Sequence, residues 1–508
     1  MVIADRGIRM MMRTLLLCAA AIFALPAHAL DGEIAVHDPS TVIASGGRYY
    51  VYGTGSGLPF LVSDDGWTWR KGGSLMSALP GAKPGPEVLA RGGNNTWAPD
   101  VIRVGEKFYV YYAAPATQPR AAVGLLVGRT LDPASPEYKW EDGGPVAWSD
   151  GIEDSNAIDP GVLLDPTDGR LWLTYGSYFG YIRLVELDPK TGKRRDEHRA
   201  PVNIAVNSEA SVLIYHDGWY YLLVTHGSCC AGASSTYNIR MGRARQVTGP
   251  YLDNMGINML DGGGKLFAGS RGRHIGPGHF GLLDLGDDVQ KFSMHYESDL
   301  DRGGISVLDI RPLLWRDGWP VAGDNLVPGT YTLESARTGT VLELAVQGAP
   351  VGGLRPRRSG SANGPPPEPR PGPPIADQEP ADVAAKWSAN TDVRLAPAML
   401  QAQQKWTIAP VSGAGGYPGA PYFRITITNT ERSLSATAGG ELTVTSFTGA
   451  PEQLWRIDQL TDGSYRISPK VIPGTNESLA LSAVGSSMPT LAKFDPSSDR
   501  QRWILRAP

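Results

Sequence analysis

A five-fold recurrence constrains this chain more than any other feature of its sequence. Each unit reads as a short polar tip, an apolar strand, a tight turn and a second strand rich in aromatic and β-branched residues. His37-Asp38-Pro39-Ser40 leads into Thr41-Val42-Ile43, a Gly46-Gly47 turn and Tyr49 to Tyr52. Trp97-Ala98-Pro99-Asp100 leads into Val101-Ile102, a turn at Gly105 and Phe108 to Tyr112. Asn156-Ala157-Ile158-Asp159-Pro160-Gly161 leads into Val162 to Leu164, an Asp168-Gly169 turn and Leu171 to Tyr175. Ser208-Glu209-Ala210-Ser211 leads into Val212 to Tyr215, an Asp217-Gly218 turn and Trp219 to Val224. Gly276-Pro277-Gly278-His279 leads into Phe280 to Leu283, a turn at Gly286-Asp287-Asp288 and Val289 to His295. A period of roughly 50 to 70 residues suits a propeller or a similar repeat array. Helical periodicity is nearly absent from this region, and each unit leaves room for two outer strands, such as Gly57 to Val62 and Thr68 to Lys71 in the first. The expectation is an all-β chain whose residues 31–323 form a five-bladed β-propeller. A β-sandwich is the alternative, but it gives no reason for polar tips to recur with the strands.

The tips present Asp38, Asp100, Asp159, Glu209 and His279. In a closed propeller the innermost strands surround a narrow funnel, so residues distant in sequence meet at one mouth. Carboxylates gathered there raise one another's pKa and separate a protonated acid from an ionised base. Glycoside hydrolysis needs that pairing: one carboxyl protonates the leaving oxygen while another activates water. Any single Asp-Pro, taken alone, reads equally as a capped turn or the start of a strand.

Those five stretches, in that order, resemble glycoside hydrolase family 43. Cys229-Cys230-Ala231-Gly232, Ser235 to Arg240, Thr248-Gly249-Pro250-Tyr251, Asp261 to Gly264 and Trp315 to Pro320 look like its endo-1,5-α-L-arabinanase branch. The resemblance implies a five-bladed propeller and an inverting hydrolase. Asp38 would be the general base, Glu209 the general acid, and Asp159 the group that tunes the acid and holds its orientation. Inversion implies carboxyl groups of Asp38 and Glu209 roughly 6.5–9.5 Å apart, with room for a water. His279 matches a histidine that holds calcium or a similar hydrated cation in the central channel; read from the residues alone, a satisfied core histidine is the favoured reading. Trp97 is placed to stack on a sugar or to pack the funnel wall, and His37, Asn156 and Ser177 are candidate hydrogen-bonders to substrate. The implied activity is endo-hydrolysis of α-1,5-linked arabinan. An exo-acting arabinofuranosidase or β-xylosidase would use the same machinery, and a noncatalytic carbohydrate-binding protein would keep only the shell.

Past Trp319-Pro320 the pattern changes. Gln404-Lys405-Trp406, Gln453-Leu454-Trp455 and Gln501-Arg502-Trp503 recur at nearly equal intervals, with strand starts upstream at Tyr331, Tyr422-Phe423 and Tyr465. Three short-strand repeats with an inward Trp read as a β-trefoil over residues 325–508, and the pattern resembles the ricin-B-type lectin module. Lectin repeats of this kind place a carboxylate after the first strand pair. The matching stretches are Leu342-Glu343-Leu344, Leu434-Ser435-Ala436 and Leu479-Ala480-Leu481, and only the first has one. Sugar anchoring and a purely structural appendage are both open. Residues 354–380, rich in Pro, Gly, Arg and Ser, are expected to be a disordered insertion in the first repeat.

The N-terminus carries an address. Arg13, an apolar run from Leu15 to Leu25 and Ala27-His28-Ala29 have the three parts of a secretory signal peptide spanning residues 1–29. The run is too short to span a bilayer, so the mature protein is expected to be secreted or periplasmic, free of the membrane and monomeric. Its formal charge of −4 lacks the basic face a nucleic-acid partner needs and suits a neutral polymer or small molecule; the family resemblance implies arabinan or a related plant cell-wall polysaccharide. After cleavage two cysteines remain, Cys229 and Cys230. As neighbours they can close only a strained ring or stay reduced and buried; a structural loop role is favoured over lining the site.

Overall fold

The computed structural model describes residues 30–152, 154–346 and 391–507. The expected signal peptide and the expected insertion at 354–380 lie outside the described residues. None of the described helices is long and apolar enough to cross a membrane.

Five antiparallel sheets follow one another along the chain, each a blade with its first strand innermost. Blade I is built from Ile43–Ser45, Arg48–Tyr52, Pro59–Ser63 and Thr68–Ser74, with Asp31–Gly32 added in parallel to its outer edge. Blade II runs Trp97–Val104, Lys107–Pro115, Ala121–Gly128 and Trp140–Ser149. Blade III runs Gly161–Leu164, Leu171–Tyr175, Tyr181–Leu187 and Val202–Val206. Blade IV runs Glu209–His216, Trp219–His226, Asn238–Ala244 and Lys265–Ala268. Blade V runs Ile275–Asp284, Gln290–Ser298, Ile305–Arg316 and Trp319–Ala322.

The expected propeller is therefore present, and the alternation of the strands explains how it is held. Each blade buries both faces, so its apolar residues fill the gap to the blade on either side. Tyr52, Phe60 and Val62 of blade I pack with Val110, Tyr112 and Leu126 of blade II. Equivalent clusters join blades II and III around Tyr111 and Leu173, III and IV around Trp172 and Leu222, and IV and V around Leu223 and Phe292. The last gap closes blade V onto blade I through Leu308, Ile310, Val51 and Trp69. The chain's start also spans that gap. Glu33 donates its N–H to Trp69 O of blade I, while Val36 N–H reaches Ser306 O and Ile34 O accepts from Leu308 N–H on blade V.

In the C-terminal unit the three Gln-x-Trp indoles make the same bond in each repeat. Trp406, Trp455 and Trp503 are fully buried and donate Nε1–H to the carbonyls of Leu342, Leu434 and Leu481 at 2.9, 3.0 and 2.8 Å. This register corrects the third repeat: the stretch equivalent to Leu342-Glu343-Leu344 is Leu481-Ser482-Ala483, two residues later than the sequence pattern suggested. Glu343 is used inside the fold, accepting from Arg394 Nε at 2.6 Å and Gln404 Nε2 at 2.8 Å while 2% exposed. The two units dock along blades I and V. Lys291, fully buried, donates to Pro418 O and lies 3.9 Å from the buried Asp458, which also pairs with Arg456 and Arg466. Burial pulls the Lys291 ammonium down to about 8, and the arginines and Lys291 hold the buried Asp458 carboxyl near 2.

Candidate active site

The inner strands begin with a shared distortion. Asp38, Ala98, Asp159, Ala210 and His279, one per blade, all have positive φ, between 41° and 61°. In blades II, IV and V the ladder slips at this point, between Trp97 and Asp100, Glu209 and Val212, and Gly278 and Gly281. An extra residue held in the left-handed region bends a strand and re-aims its neighbours. These five residues, not the five polar tips read from the sequence, are the equivalent positions. Glu209 stands one residue before the left-handed position of its blade and Asp100 two residues after. Asp100 consequently leaves the mouth. It is 3% exposed, and its carboxylate accepts from Thr41 N at 3.1 Å and Val162 N at 2.9 Å, tying blade II to blades I and III.

Asp38, Asp159 and Glu209 do converge. They line one open cleft of about 1170 Å³, together with His37, Thr54, Trp97, Ser177, Tyr178, Phe179, Tyr237 and the Cys229–Cys230 pair. Three further clefts, of about 380, 410 and 710 Å³, are smaller.

All three carboxyls are largely buried, yet their partners differ. Asp38 is surrounded by donors and cations. Thr54 Oγ1 donates to its Oδ2 at 2.6 Å, and His37 Nδ1 lies 2.7 Å from the same oxygen, close enough to pair but off the hydrogen-bond direction. His279 Nδ1 is 3.5 Å from Oδ1. Burial alone would push the Asp38 carboxyl up; the His37 charge, with His279, outweighs it and holds the group well below the ordinary carboxylate range. Burial likewise depresses His37, but the Asp38 carboxylate prevails and raises it. The Asp38 backbone is fixed as well. Its N–H donates to His295 Nδ1 at 3.1 Å, which requires that nitrogen to be unprotonated. Complete burial drives the His295 pKa down to about 3, so this acceptor stays neutral at working pH.

Glu209 and Asp159 go the other way. Burial raises Glu209, partly opposed by Ser177 Oγ, which donates to Oε2 at 2.6 Å, and by Tyr237 OH, which donates to Oε1. Burial also raises Asp159 well above its usual range, and the neighbouring charges of Glu209 and Asp38 add to it. Asp159 Oδ2 accepts the N–H of Ala210 at 3.2 Å, so it holds the residue next to Glu209 in place. The cleft thus carries one carboxyl biased to stay ionised and two biased to stay protonated, which is the charge state acid–base cleavage of a glycosidic bond requires.

The remaining sequence-derived residues fall less evenly. His37 lies on the cleft wall. Trp97 does both things open to it: it lines the cleft and packs on Ala113, Ala121 and Ile158. Ser177 is on the wall too, but its hydroxyl proton is engaged by Glu209, so it orients the acid instead of being free for substrate. Asn156 is corrected outright. Its side chain is fully buried with neither amide atom partnered, and it does not line the cleft. The cysteines are corrected as well: they form a disulfide with each other and line the cleft, Cys230 Sγ lying 4.0 Å from His37 Nε2. His279 is buried, and its Nδ1 makes no hydrogen bond beyond facing Asp38 Oδ1. The side chains clustered as potential metal ligands are His37, Asp38 and His295. Two imidazoles and one carboxylate are a poor oxygen set for calcium.

Tyr237, Thr54, His295 and Phe179 also belong to the site, and no sequence signal marks them individually. Tyr237 lies inside the Ser235 to Arg240 stretch, and His295 closes an apolar run where it reads as core.

The family description "Glycosyl hydrolases family 43" matches residues 33–320, and "Ricin-type beta-trefoil lectin domain-like" matches residues 402–487. The extracellular endo-alpha-(1->5)-L-arabinanase 1 of Bacillus subtilis (strain 168) is 34% identical over 295 residues, covering 56% of this chain and 87% of the relative. The extracellular exo-alpha-(1->5)-L-arabinofuranosidase ArbA of Cellvibrio japonicus (strain Ueda107) is 32% identical over 306 residues, 57% of this chain and 86% of the relative. Among solved structures, an exo-1,5-alpha-L-arabinanase from a bovine ruminal metagenomic library superposes with a TM-score of 0.52 at 34% identity, over 57% of this chain and 96% of that one.

Proposed function

The chain belongs to glycosyl hydrolase family 43, and from that premise we propose that it cleaves α-1,5-L-arabinan within the chain, with inversion at the anomeric carbon. Asp38, ionised, takes the proton of a water that attacks the anomeric carbon. Glu209, protonated, gives its proton to the oxygen of the leaving sugar. Asp159 shares the buried pocket with Glu209, so the two carboxyls titrate together, and it fixes the acid's backbone through Ala210. The observation that carries this reading is the opposed bias of three carboxyls within one cleft: Asp38 pushed down by its histidines, Glu209 and Asp159 pushed up by burial. The chemistry needs no further group to balance: water adds across the bond, and the two carboxyls exchange roles by one proton each.

Linear arabinan, debranched arabinan, arabinoxylan and aryl glycosides offered in parallel test the substrate. The reading requires release of mixed oligosaccharides from linear arabinan, and proton NMR of the first products must show the inverted anomer. Monosaccharide release from chain ends alone would favour the exo reading, for which the similarity to both endo- and exo-acting relatives leaves room. If the wild type releases no reducing ends from any of the panel, the noncatalytic reading takes over.

His279 is the residue that would hold a hydrated cation such as calcium. Its buried Nδ1 faces Asp38 Oδ1 at 3.5 Å without a hydrogen bond, and Ser211 Oγ and Ser293 Oγ on blades IV and V are buried without a partner; a water shell around an ion would satisfy such groups. The ion would add positive charge near the carboxyls; metal analysis of the purified protein tests for it. We also place the mature enzyme outside the cytoplasm as a monomer, on the signal-like residues 1–29 and the similarity to extracellular relatives. N-terminal sequencing and light scattering of the exported protein check both.

A further inference from the structure

Phe179 occupies a position that the fold does not account for. It is 63% exposed, the most exposed phenylalanine or tryptophan among the described residues; Trp148 follows at 37%, with the Arg91 guanidinium 3.6 Å above its ring. Its φ is +85°, in a region bulky L-residues rarely enter. Yet it sits in a turn that is held firmly. On one side Tyr178 OH donates to Gly227 O at 2.8 Å and accepts from Gly227 N at 2.7 Å. On the other Tyr181 N–H donates to Asp154 O at 3.0 Å, and a side chain at Gly180 would collide with that same carbonyl. Its neighbours therefore do the anchoring, while Phe179 itself projects onto the wall of the cleft. Backbone strain and an unburied aromatic ring both cost stability, and a residue that bears both at the edge of a reactive cleft points to a ligand.

We propose that Phe179 is the stacking platform for a sugar on the leaving-group side of the scissile bond. The side follows from the turn's other contact: Ser177, two residues earlier, donates to Glu209, and Glu209 must face the oxygen that joins the scissile sugar to the leaving one. A flat, exposed ring accepts the C–H face of a furanose without demanding a particular hydroxyl pattern. This inference rests on the hydrolase reading of the same cleft. It adds a binding residue for the sugars beyond the bond that is cut, which cutting inside a chain needs and trimming an end needs less.

Phe179→Gly is the informative change, because glycine takes φ +85° without strain. The platform predicts that kcat/KM on linear arabinan falls about tenfold. The loss should grow from arabinotriose to arabinohexaose, the thermal midpoint should be unchanged or higher, and Phe179→Trp should retain wild-type behaviour within about threefold. Isothermal titration of arabinohexaose into Glu209→Gln and Glu209→Gln/Phe179→Gly should show the same tenfold weakening without turnover. Equal activity of the glycine variant, a loss independent of chain length, or a lowered midpoint overturns the proposal. Should the wild type ignore arabinan but cleave another polysaccharide of the panel, the arabinan reading fails, and the same chain-length comparison on that polymer decides the platform.

Discussion

Tyr237→Phe offers the sharpest test of how the acid is prepared. Tyr237 OH donates to Glu209 Oε1, and the ring is 6% exposed and stacked on His295 at 6.0 Å between centroids. The substitution removes one oxygen and leaves the packing. A hydrogen bond to a charged acceptor contributes about 1.5–3 kcal/mol, and about 1.4 kcal/mol of preference between protonation states moves a titration by one pH unit. The phenol favours the ionised carboxylate, so its loss makes Glu209 harder to ionise. Glu209 has to be protonated to act, and its ionisation sets the alkaline limb of the pH–rate profile. At the low end of that range the limb therefore moves up by about one pH unit in Tyr237→Phe. The assay is kcat/KM on linear arabinan from about pH 4 to 10, fitted for both limbs. Ser177→Ala removes the other donor and moves the same limb in the same direction. The acid limb, which reports Asp38, should stay in place in both. An alkaline limb that is unmoved or shifts downward would refute the claim that these donors act on the acid through its charge.

The other expectations are simpler to state. Glu209→Gln and Asp38→Asn should each cut kcat by about 10²–10⁴-fold while thermal unfolding shows both folded, since each removes one proton-transfer group. Asp100→Ala should cost about 3 kcal/mol in the propeller's unfolding transition, because the N–H groups of Thr41 and Val162 lose a buried acceptor together; calorimetry reads this directly. Lys291 titrates near 8 in the folded protein, below the 10.5 of a free lysine, so between those values the unfolded chain holds its proton more tightly. Its contribution to stability accordingly rises with pH across that window. Lys291→Met should melt relatively higher at pH about 7 than at pH about 10 when compared with the wild type, and a pH-independent difference would contradict the assigned burial.

The fold was legible because its signals are local. Strand, tight turn and strand sit within about twenty residues of one another, and the Gln-x-Trp repeats mark three indoles that all make one bond. Asp38, Asp159 and Glu209 were legible through their place at the head of those units. What the sequence hid depends on backbone angle or on contacts across blades. Nothing in Trp97-Ala98-Pro99-Asp100 says that Ala98 takes the left-handed position and sends Asp100 to a staple between blades. Asn156 and Tyr237 are both polar residues near an acidic one in folding space, yet only the coordinates tell which is walled off and which touches Glu209. A pair of adjacent cysteines carries no sign of which way it faces.

The left-handed residues at the inner strands also bear on how strain should be read. An L-residue in that region costs roughly 1–2 kcal/mol, and five such positions together cost as much as many domains have in net stability. Were strain a mark of catalysis, Asp38 and Asp159 would be its signature here. Ala98 and Ala210 share that left-handed conformation and carry no reactive group, so the distortion belongs to the repeated frame at the head of each inner strand, and the tight packing between blades offsets it. Function follows instead from what is hung on that repeated frame. One left-handed position holds Asp38 among Thr54, His37 and His279, which bias it to stay charged; another places Asp159 against Glu209, where burial favours the protonated forms. Phe179 lies in the turn between the second and third strands of its blade, and the matching turns of blades I, IV and V also hold residues at positive φ, Leu58, Cys230 and Asp299. Strain alone therefore does not set Phe179 apart. Leu58 recovers its cost by complete burial, whereas Phe179 is 63% exposed on the cleft wall, and it is strain without burial that argues there for a ligand.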